Sequence, residues 1–306
     1  MEQWEKVKAV QKMQDFIRNH INEEIKVEEI AKASGYSKRH ATRIFKELLG
    51  RTPLDYVRAI RLTDSAKDLL KSQDNILNIA INTRFDTHER FIRAFFREFG
   101  IRPQKYRRER PPLKYFVQYP IKHYYSYLNV KEKEIMENKD TVTLCTVSVI
   151  ERPKRKLLLI RARKAHDYWS FCEENGCDWE GLFNSIECRI DNAAIMELPG
   201  KLLIDGTTNC AAGVEVPYNY GGKIPEACDC VELPECTMMY FQSEPLENED
   251  EFGKAIDNVY KAIYEYNPKQ YGFEYALELA PKYNYGASKE TGARQAIPVR
   301  RIMLHK

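Results

Sequence analysis

The chain of 306 residues is 43% hydrophobic and 30% charged, values that are ordinary for a globular protein of about two domains. No run approaches the roughly 20 apolar residues that a membrane span needs, and residues 1–12 lack the apolar core of a signal peptide. We therefore expect a cytoplasmic protein that does not enter a membrane. Residues 1–110 hold 24 Lys and Arg against 16 Asp and Glu, a net +8, whereas residues 111–306 hold 24 against 29, a net −5. This asymmetry predicts that only the first part meets a polyanion.

Apolar residues at helical spacing predict a first domain, residues 1–110, that is built from helices. Gly35 lies in a turn sequence, where it can take positive φ, and Ser37 can cap the helix that follows. The same order of short helix, turn and longer helix returns after residue 75. The predicted helices are 3–21, 27–33, 38–49, 53–71, 76–82 and 88–99. Two helix-turn-helix units on either side of a central helix are more informative than one alone.

The period of the apolar pattern changes in the second part of the chain. Residues 111–140, which open with Pro111-Pro112, are predicted to be a linker. Residues 141–306 are predicted to be an α+β domain with a mostly antiparallel sheet. The predicted strands are 142–150, 156–163, 201–205, 211–217, 237–243, 273–279 and 295–302, and the predicted helices are 168–190 and 249–266.

All eight cysteines lie at or beyond Cys145, and in a cytosolic protein we expect them to be reduced thiols. A metal site is the alternative, because Cys228, Cys230 and Cys236 form a cluster. However, Cys228 and Cys230 are separated by one residue, whereas paired zinc ligands usually have two to four between them. The sequence therefore favours small, scattered apolar side chains over a metal site, and no cofactor is expected.

The first domain resembles the AraC/XylS family of transcriptional regulators. The residues that carry this resemblance are Ser37 to Lys46, Gly50, Pro53, Tyr56, Arg61-Leu62, Phe85, Asp86, Phe91, Arg93, Phe95-Phe96, Phe99-Gly100, Pro103 and Tyr106-Arg107. One departure is Ala41, where the family usually has Leu. The resemblance implies a seven-helix domain whose helices 38–49 and 88–99 enter successive major grooves of double-stranded DNA.

Periodicity separates the side chains of these two helices that pack from those that can meet DNA. Candidates for contacts with bases or phosphates lie near the helix starts, opposite the apolar side: Ser37, Lys38, Arg39, Thr42, Arg43, Thr87, His88, Glu89 and Arg93. Arg can read guanine bidentately, and Glu can accept a hydrogen bond from cytosine. Several of them can instead be solvated, and Glu89 can instead serve as a helix cap.

The second domain resembles the GyrI-like effector-binding domain. The residues that carry this resemblance are Trp179-Glu180, Leu182-Phe183, Ala212 to Val216, Ile224 to Glu226, Leu233-Pro234, Tyr240, Ala276 to Leu279 and Ile297 to Val299. Ala227 stands where this family typically has Gly. The resemblance implies a cleft that binds amphipathic, often cationic molecules with a carboxylate among aromatic rings.

Glu278 matches the pocket glutamate of that family. In a strand 273–279, alternation also directs it away from Leu277 and Leu279, toward a groove. The rings that could accompany it are those of Trp179, Tyr218, Tyr220 and Tyr240, although aromatic residues at such positions can equally be plain core.

The sequence shows no phosphate-binding Gly-rich loop, no His-Glu-x-x-His and no Gly-x-Ser-x-Gly, so we do not expect an enzyme. Together, the two resemblances imply a transcriptional activator that works with RNA polymerase and responds to a small amphipathic or cationic ligand. Two alternatives stay open. The second domain can be a hydrolase of small electrophilic compounds, or the protein can be a constitutive DNA-binding regulator without a ligand.

Overall fold

The computed structural model describes residues 2–85, 87–122, 124–125, 145–247 and 251–302. Its contacts divide the chain into a first unit, residues 1–136, and a second unit, residues 137–306. Asp86 of the first resemblance, most of the predicted linker and the start of the first predicted strand, residues 142–144, lie outside the described residues.

The first unit is helical where it is described. Its helices are α1 (Glu2–Asn19), α2 (Val27–Ser34), α3 (Lys38–Leu49), α4 (Pro53–Lys71), α5 (Ile76–Asn82), α6 (His88–Phe99) and α7 (Pro103–Glu109). The predicted helices are confirmed, and α7 completes the set that the family resemblance implied.

Two separate cores lie on either side of α4. The first half of the unit packs α1, α2, α3 and the start of α4 around Val10, Ile44 and Phe45. The second half packs the end of α4 with α5, α6 and α7 around Phe91 and Phe95. Because α4 contributes to both cores, one rod of 19 residues carries both helix-turn-helix units.

Residues 113–121, which we call the strap, pack onto the helical unit. Leu113, Tyr115 and Ile121 are buried. The Tyr115 hydroxyl is 2.7 Å from the Tyr106 hydroxyl, and the backbone N–H of Ile121 donates to Gln14 Oε1 at 2.9 Å. The strap therefore contacts both halves of the unit and does more than connect two domains.

The second unit is built around one antiparallel sheet. Its strands are β1 (Cys145–Arg152), β2 (Arg155–Arg161), β3 (Ala194–Glu197), β4 (Cys210–Pro217), β5 (Asp229–Leu233), β6 (Cys236–Ser243), β7 (Phe273–Tyr275), β8 (Lys282–Ser288) and β9 (Gly292–Arg301). Their order in the sheet is β1-β6-β9-β8-β3-β4-β2-β5, and β7 pairs with β9.

The helices of the second unit are α8 (Tyr168–Asn175), α9 (Trp179–Asn184) and α10 (Phe252–Glu265). They pack on one face of the sheet, where α8 and α9 cover one cluster and α10 covers another. The core cluster on the opposite face, which includes Tyr240 and Tyr283, contains no residue of these helices. We call this side the helix-free face.

Several predicted elements of the second unit are wrong in their bounds or type. The predicted helix 168–190 is two short helices, because Gly176 at φ 81° ends the first. Residues 200–202 form a 3₁₀ turn in place of the predicted strand 201–205. The predicted strand 273–279 stops at Tyr275, since Leu279 N–H donates to Ala276 O at 2.9 Å and closes a turn. Strands β3, β5 and β8 were not predicted.

Ala227 lies in the turn before β5 with φ 63°, a left-handed conformation that disfavours side chains with a Cβ. We expect Ala227→Gly to raise the free energy of unfolding by about 0.5–1 kcal/mol, since glycine removes this strain. Urea denaturation followed by circular dichroism checks the change. The matched control is Ala262→Gly inside α10, which should lower stability by about 1 kcal/mol. A loss of stability in Ala227→Gly would contradict the strain argument.

Candidate DNA-binding helices and the helix-free face

Helices α3 and α6 have the same length and the same kinds of cap at both ends. Each has 12 residues, and each starts after a hydroxyl cap, because Ser37 accepts from His40 N–H and Thr87 from Arg90 N–H. Each ends at a left-handed glycine, Gly50 at φ 70° and Gly100 at φ 69°. Since Lys38 and His88 open the two helices, corresponding residues are 50 positions apart. The duplication seen in the sequence is therefore a structural one.

The two helices bury equivalent sides. Ala41, Ile44 and Phe45 of α3 are buried, as are Phe91 and Phe95 of α6. The opposite side is solvent-accessible. Two of the candidate residues on this side, Thr42 and His88, are half-buried. The others are exposed: Ser37, Lys38, Arg39, Arg43, Thr87, Glu89 and Arg93.

Arg43 and Arg93 occupy the same position of their helices, and among the described residues each makes a weak contact within its own helix. Arg43 Nη2 lies 3.2 Å from His40 Nδ1, and Arg93 Nε donates to the carbonyl oxygen of Glu89 at 3.4 Å. Neither guanidinium is paired with a carboxylate within the part of the chain that the structure describes. Each guanidinium therefore has further N–H donors for a partner outside the chain.

Two of the other candidates are placed differently. Lys38 Nζ is 2.6 Å from Glu28 Oε1, so part of its charge is already neutralised, and that hydrogen bond lowers the pKa of Glu28. Glu89 is exposed, and the N-terminal cap of α6 is the hydroxyl of Thr87.

The predicted ligand residues of the second unit are not brought together. Glu278 lies in a turn, its side chain is 61% exposed, and it forms an ion pair with Arg300. Trp179, the first residue of α9, is buried in the cluster between the helices and the sheet, and Tyr220 packs against the same cluster. Tyr218 is exposed with Lys154 Nζ 4.0 Å from its ring centre. Of the predicted set, the described structure places Tyr240 on the helix-free face.

A different carboxylate, that of Glu215 on β4, is buried on the helix-free face. Its Oε1 accepts from Arg155 Nε at 2.6 Å and from the Tyr283 hydroxyl at 2.6 Å. Arg155 is 0% exposed and Glu215 is 3% exposed. Burial opposes the charged form of Arg155, but the neighbouring groups, with the Glu215 carboxylate first among them, together raise the pKa of the guanidinium.

A second group of charges and rings lies next to this pair. Arg152 Nη2 donates to Asp191 Oδ2 at 2.8 Å, and Arg294 donates to the other oxygen of Asp191. The guanidinium of Arg294 is 4.2 Å from the centre of the Tyr285 ring. The rings of Tyr240 and Tyr285 are stacked at 6.2 Å.

Burial raises the pKa of Tyr240, Tyr283 and Tyr285, so all three phenols remain neutral at physiological pH. They can therefore act as hydrogen-bond donors. Sequence reasoning missed Glu215, although a signal was present. Glu215 stands between Val214 and Val216 in a strand that was predicted, where alternation sends it to the face opposite both valines.

The described ranges contain no group of three or more His, Cys, Asp or Glu that could hold a metal ion. None of their helices combines the length and apolarity needed to cross a membrane.

Residues 30–109 match the family model described as "Helix-turn-helix domain". The chain is 36% identical over 107 residues to the "Right origin-binding protein" of Escherichia coli K12, which is 32% of this chain and 37% of that protein. It is 44% identical over 86 residues to the "Probable transcription factor PqrA" of Proteus vulgaris, which is 28% of this chain and 70% of that protein. The match thus spans 37% of the right origin-binding protein but 70% of PqrA.

A solved structure of an AraC-type transcriptional regulator from Chromobacterium violaceum is also similar. It has 24% sequence identity and a TM-score of 0.32, and the similarity covers 33% of this chain and 91% of that one.

Proposed function

The chain belongs to the AraC/XylS family of DNA-binding transcriptional regulators, and on that premise we propose that it is a sequence-specific activator controlled by a small amphipathic ligand. We assign DNA binding to residues 1–110 and ligand binding to a GyrI-like domain, residues 141–306, with residues 111–140 joining them. RNA polymerase is the expected protein partner of such an activator. The observation that carries the DNA-binding assignment is the equivalent exposure of Arg43 and Arg93 on two helices of one plan.

Physical arguments support DNA as the partner of the first unit. A helix fits the major groove, and Arg is the side chain that most often reads guanine there. The net charge of +8 on residues 1–110 favours a polyanion, so affinity should fall steeply with salt as counterions are released. Both helices are anchored to α4, which keeps their separation fixed for two successive groove openings.

The geometry of the second unit supports binding over turnover. Glu215 accepts hydrogen bonds from Arg155 and Tyr283, and a carboxylate held in this way is poorly suited to act as a general base. The charged groups and rings of the helix-free face instead form a polar patch within an apolar cluster, which is the composition of small-molecule sites.

Replacing either Arg43 or Arg93 with alanine should cost about 1–3 kcal/mol of specific DNA binding, because each side chain is expected to contact a base. The binding site is first selected from random sequences, and affinities are then compared by competition mobility shift on that site and on random DNA. The loss should be larger on the selected site. Arg58→Ala is the control, since Arg58 is an exposed cation on α4 that is paired with Asp55. Equal losses on both DNAs would show that Arg43 and Arg93 contact phosphates alone.

A further inference from the structure

We propose that the ligand of the second unit is a planar organic anion, an aromatic carboxylate, held by Arg152 and Arg294 on the helix-free face with its ring against Tyr285. This inference rests on the proposed ligand control and specifies the chemistry of the ligand. It reverses the charge expected from the family resemblance.

The helix-free face carries an excess of positive charge. Three guanidinium groups, those of Arg152, Arg155 and Arg294, stand beside two carboxylates, those of Asp191 and Glu215. The neighbouring tyrosines are neutral. The group therefore carries a net charge of +1 in a partly desolvated place, where an unbalanced charge attracts a counterion more strongly than it does in water.

The excess positive charge lies on Arg152 and Arg294. Arg155 and Glu215 are buried and pair with each other, so neither faces outward. Arg152 and Arg294 share the single carboxylate of Asp191, one oxygen each. Arg152 Nε is buried without a hydrogen-bond partner among the described residues and lies 3.9 Å from Glu215 Oε2. Arg152 Nη2 also donates to the Tyr240 hydroxyl. Even so, donors exceed acceptors, and a carboxylate from outside the chain that binds the accessible donors, chiefly those of Arg294, would correct the imbalance.

A ligand must also reach these cations and fit the side chains around them. The side chain of Arg294 is 25% exposed, so a ligand can reach it. Its guanidinium carbon lies 4.2 Å from the centre of the half-buried Tyr285 ring, an arrangement to which a further planar group can add by stacking. Ile150, two residues before Arg152 on β1, is 43% exposed and, by strand alternation, lies on the same face of the sheet as Arg152. An apolar ring carrying a carboxylate fits these three features together.

The helix-free face does not favour the cationic ligand that the resemblance implies. Its anchor was to be Glu278, but that carboxylate is exposed in a turn and paired with Arg300. A cation on the helix-free face would instead meet the excess positive charge of Arg152 and Arg294. An anion is therefore the ligand class that this chain favours.

Calorimetry on the full chain with three ligands of one shape tests the proposal: 2-naphthoate, 2-naphthamide and 2-naphthylmethylammonium. We expect the carboxylate to bind at least tenfold more tightly than the neutral amide, which is about 1.4 kcal/mol, and the ammonium compound to bind most weakly. Arg294→Gln should reduce naphthoate binding at least tenfold and leave naphthamide binding nearly unchanged. Tyr285→Leu should weaken both ligands.

The matched control is Arg300→Gln, which removes an exposed cation on the same strand, β9, and should change none of the three affinities. Thermal melting by circular dichroism confirms that each variant is folded. Tightest binding by the ammonium compound, no binding by any of the three, or an unchanged naphthoate affinity in Arg294→Gln would overturn the anion proposal. The regulator proposal is judged separately, by the DNA-binding assay with Arg43→Ala and Arg93→Ala.

Discussion

Arg155→Met is expected to lower the free energy of unfolding of the second unit by about 3–5 kcal/mol, because it removes the nearer of the two cations that balance the buried Glu215 carboxylate. Glu215 is 3% exposed and cannot recover solvation without opening the sheet. Arg155 also donates to the carbonyl oxygen of Pro234 at 2.8 Å, so the substitution removes a contact that joins β2 to the turn before β6. Urea denaturation of the full chain, followed by circular dichroism, measures the loss.

The double variant Arg155→Met with Glu215→Met separates a charge effect from a packing effect. Replacing both members of a buried ion pair with apolar residues of similar volume is often close to neutral. We therefore expect the double variant to recover most of the stability that the single variant loses. A double variant as unstable as the single one, or a single variant as stable as the wild type, would mean that the unpaired charge is not the cause.

A fragment ending at residue 110 should be less stable than one ending at residue 125, by at least about 3 kcal/mol. The difference is the strap, whose Leu113, Tyr115 and Ile121 are buried against the helical unit. Burying one large apolar side chain is worth about 1.5–3 kcal/mol, and three are lost in the shorter fragment. The shorter fragment also leaves the buried side chain of Gln14 without the Ile121 N–H that its oxygen accepts.

Chemical denaturation of the two fragments, each at the same concentration, checks this expectation. Ile121→Ala in the longer fragment is the matched variant, and it should cost about 2–5 kcal/mol by leaving a cavity. Two fragments of equal stability would show that the strap is held too weakly to matter. The result also bears on DNA binding, since a fragment cut at residue 110 would lose affinity through instability and not through a missing contact.

The first unit could be predicted closely because its signals are local. Ser37 and Gly50 mark the start and end of α3 within the sequence itself, and Thr87 and Gly100 do the same for α6. The second unit depends on pairing between distant strands, which leaves little local trace. Ala194-Ile195-Met196 of β3 is a fully buried run without alternation, and Gly286 interrupts β8 at a bulge.

The helix-free face shows the same limit. Glu278 was favoured by alternation in a strand that ends three residues before it. Alternation along β4, a strand that does form, places Glu215 on the face opposite Val214 and Val216. What the sequence could not supply was the register that brings Arg152, Arg294 and Asp191 together, because these residues come from β1, β9 and a loop before β3.

The helical unit has separate cores on either side of α4, and the positions of the tryptophans determine which of them intrinsic fluorescence can report on. Of the three tryptophans, Trp4 packs against the core of the first half of the helical unit, while Trp169 and Trp179 belong to the second unit. The core of the second half is filled by aliphatic side chains and by Phe and Tyr rings. Loosening of the half that carries α6 would therefore pass unseen in tryptophan emission. Phe96, 52% exposed on α6, is the position where a new tryptophan would make that half visible without entering its core.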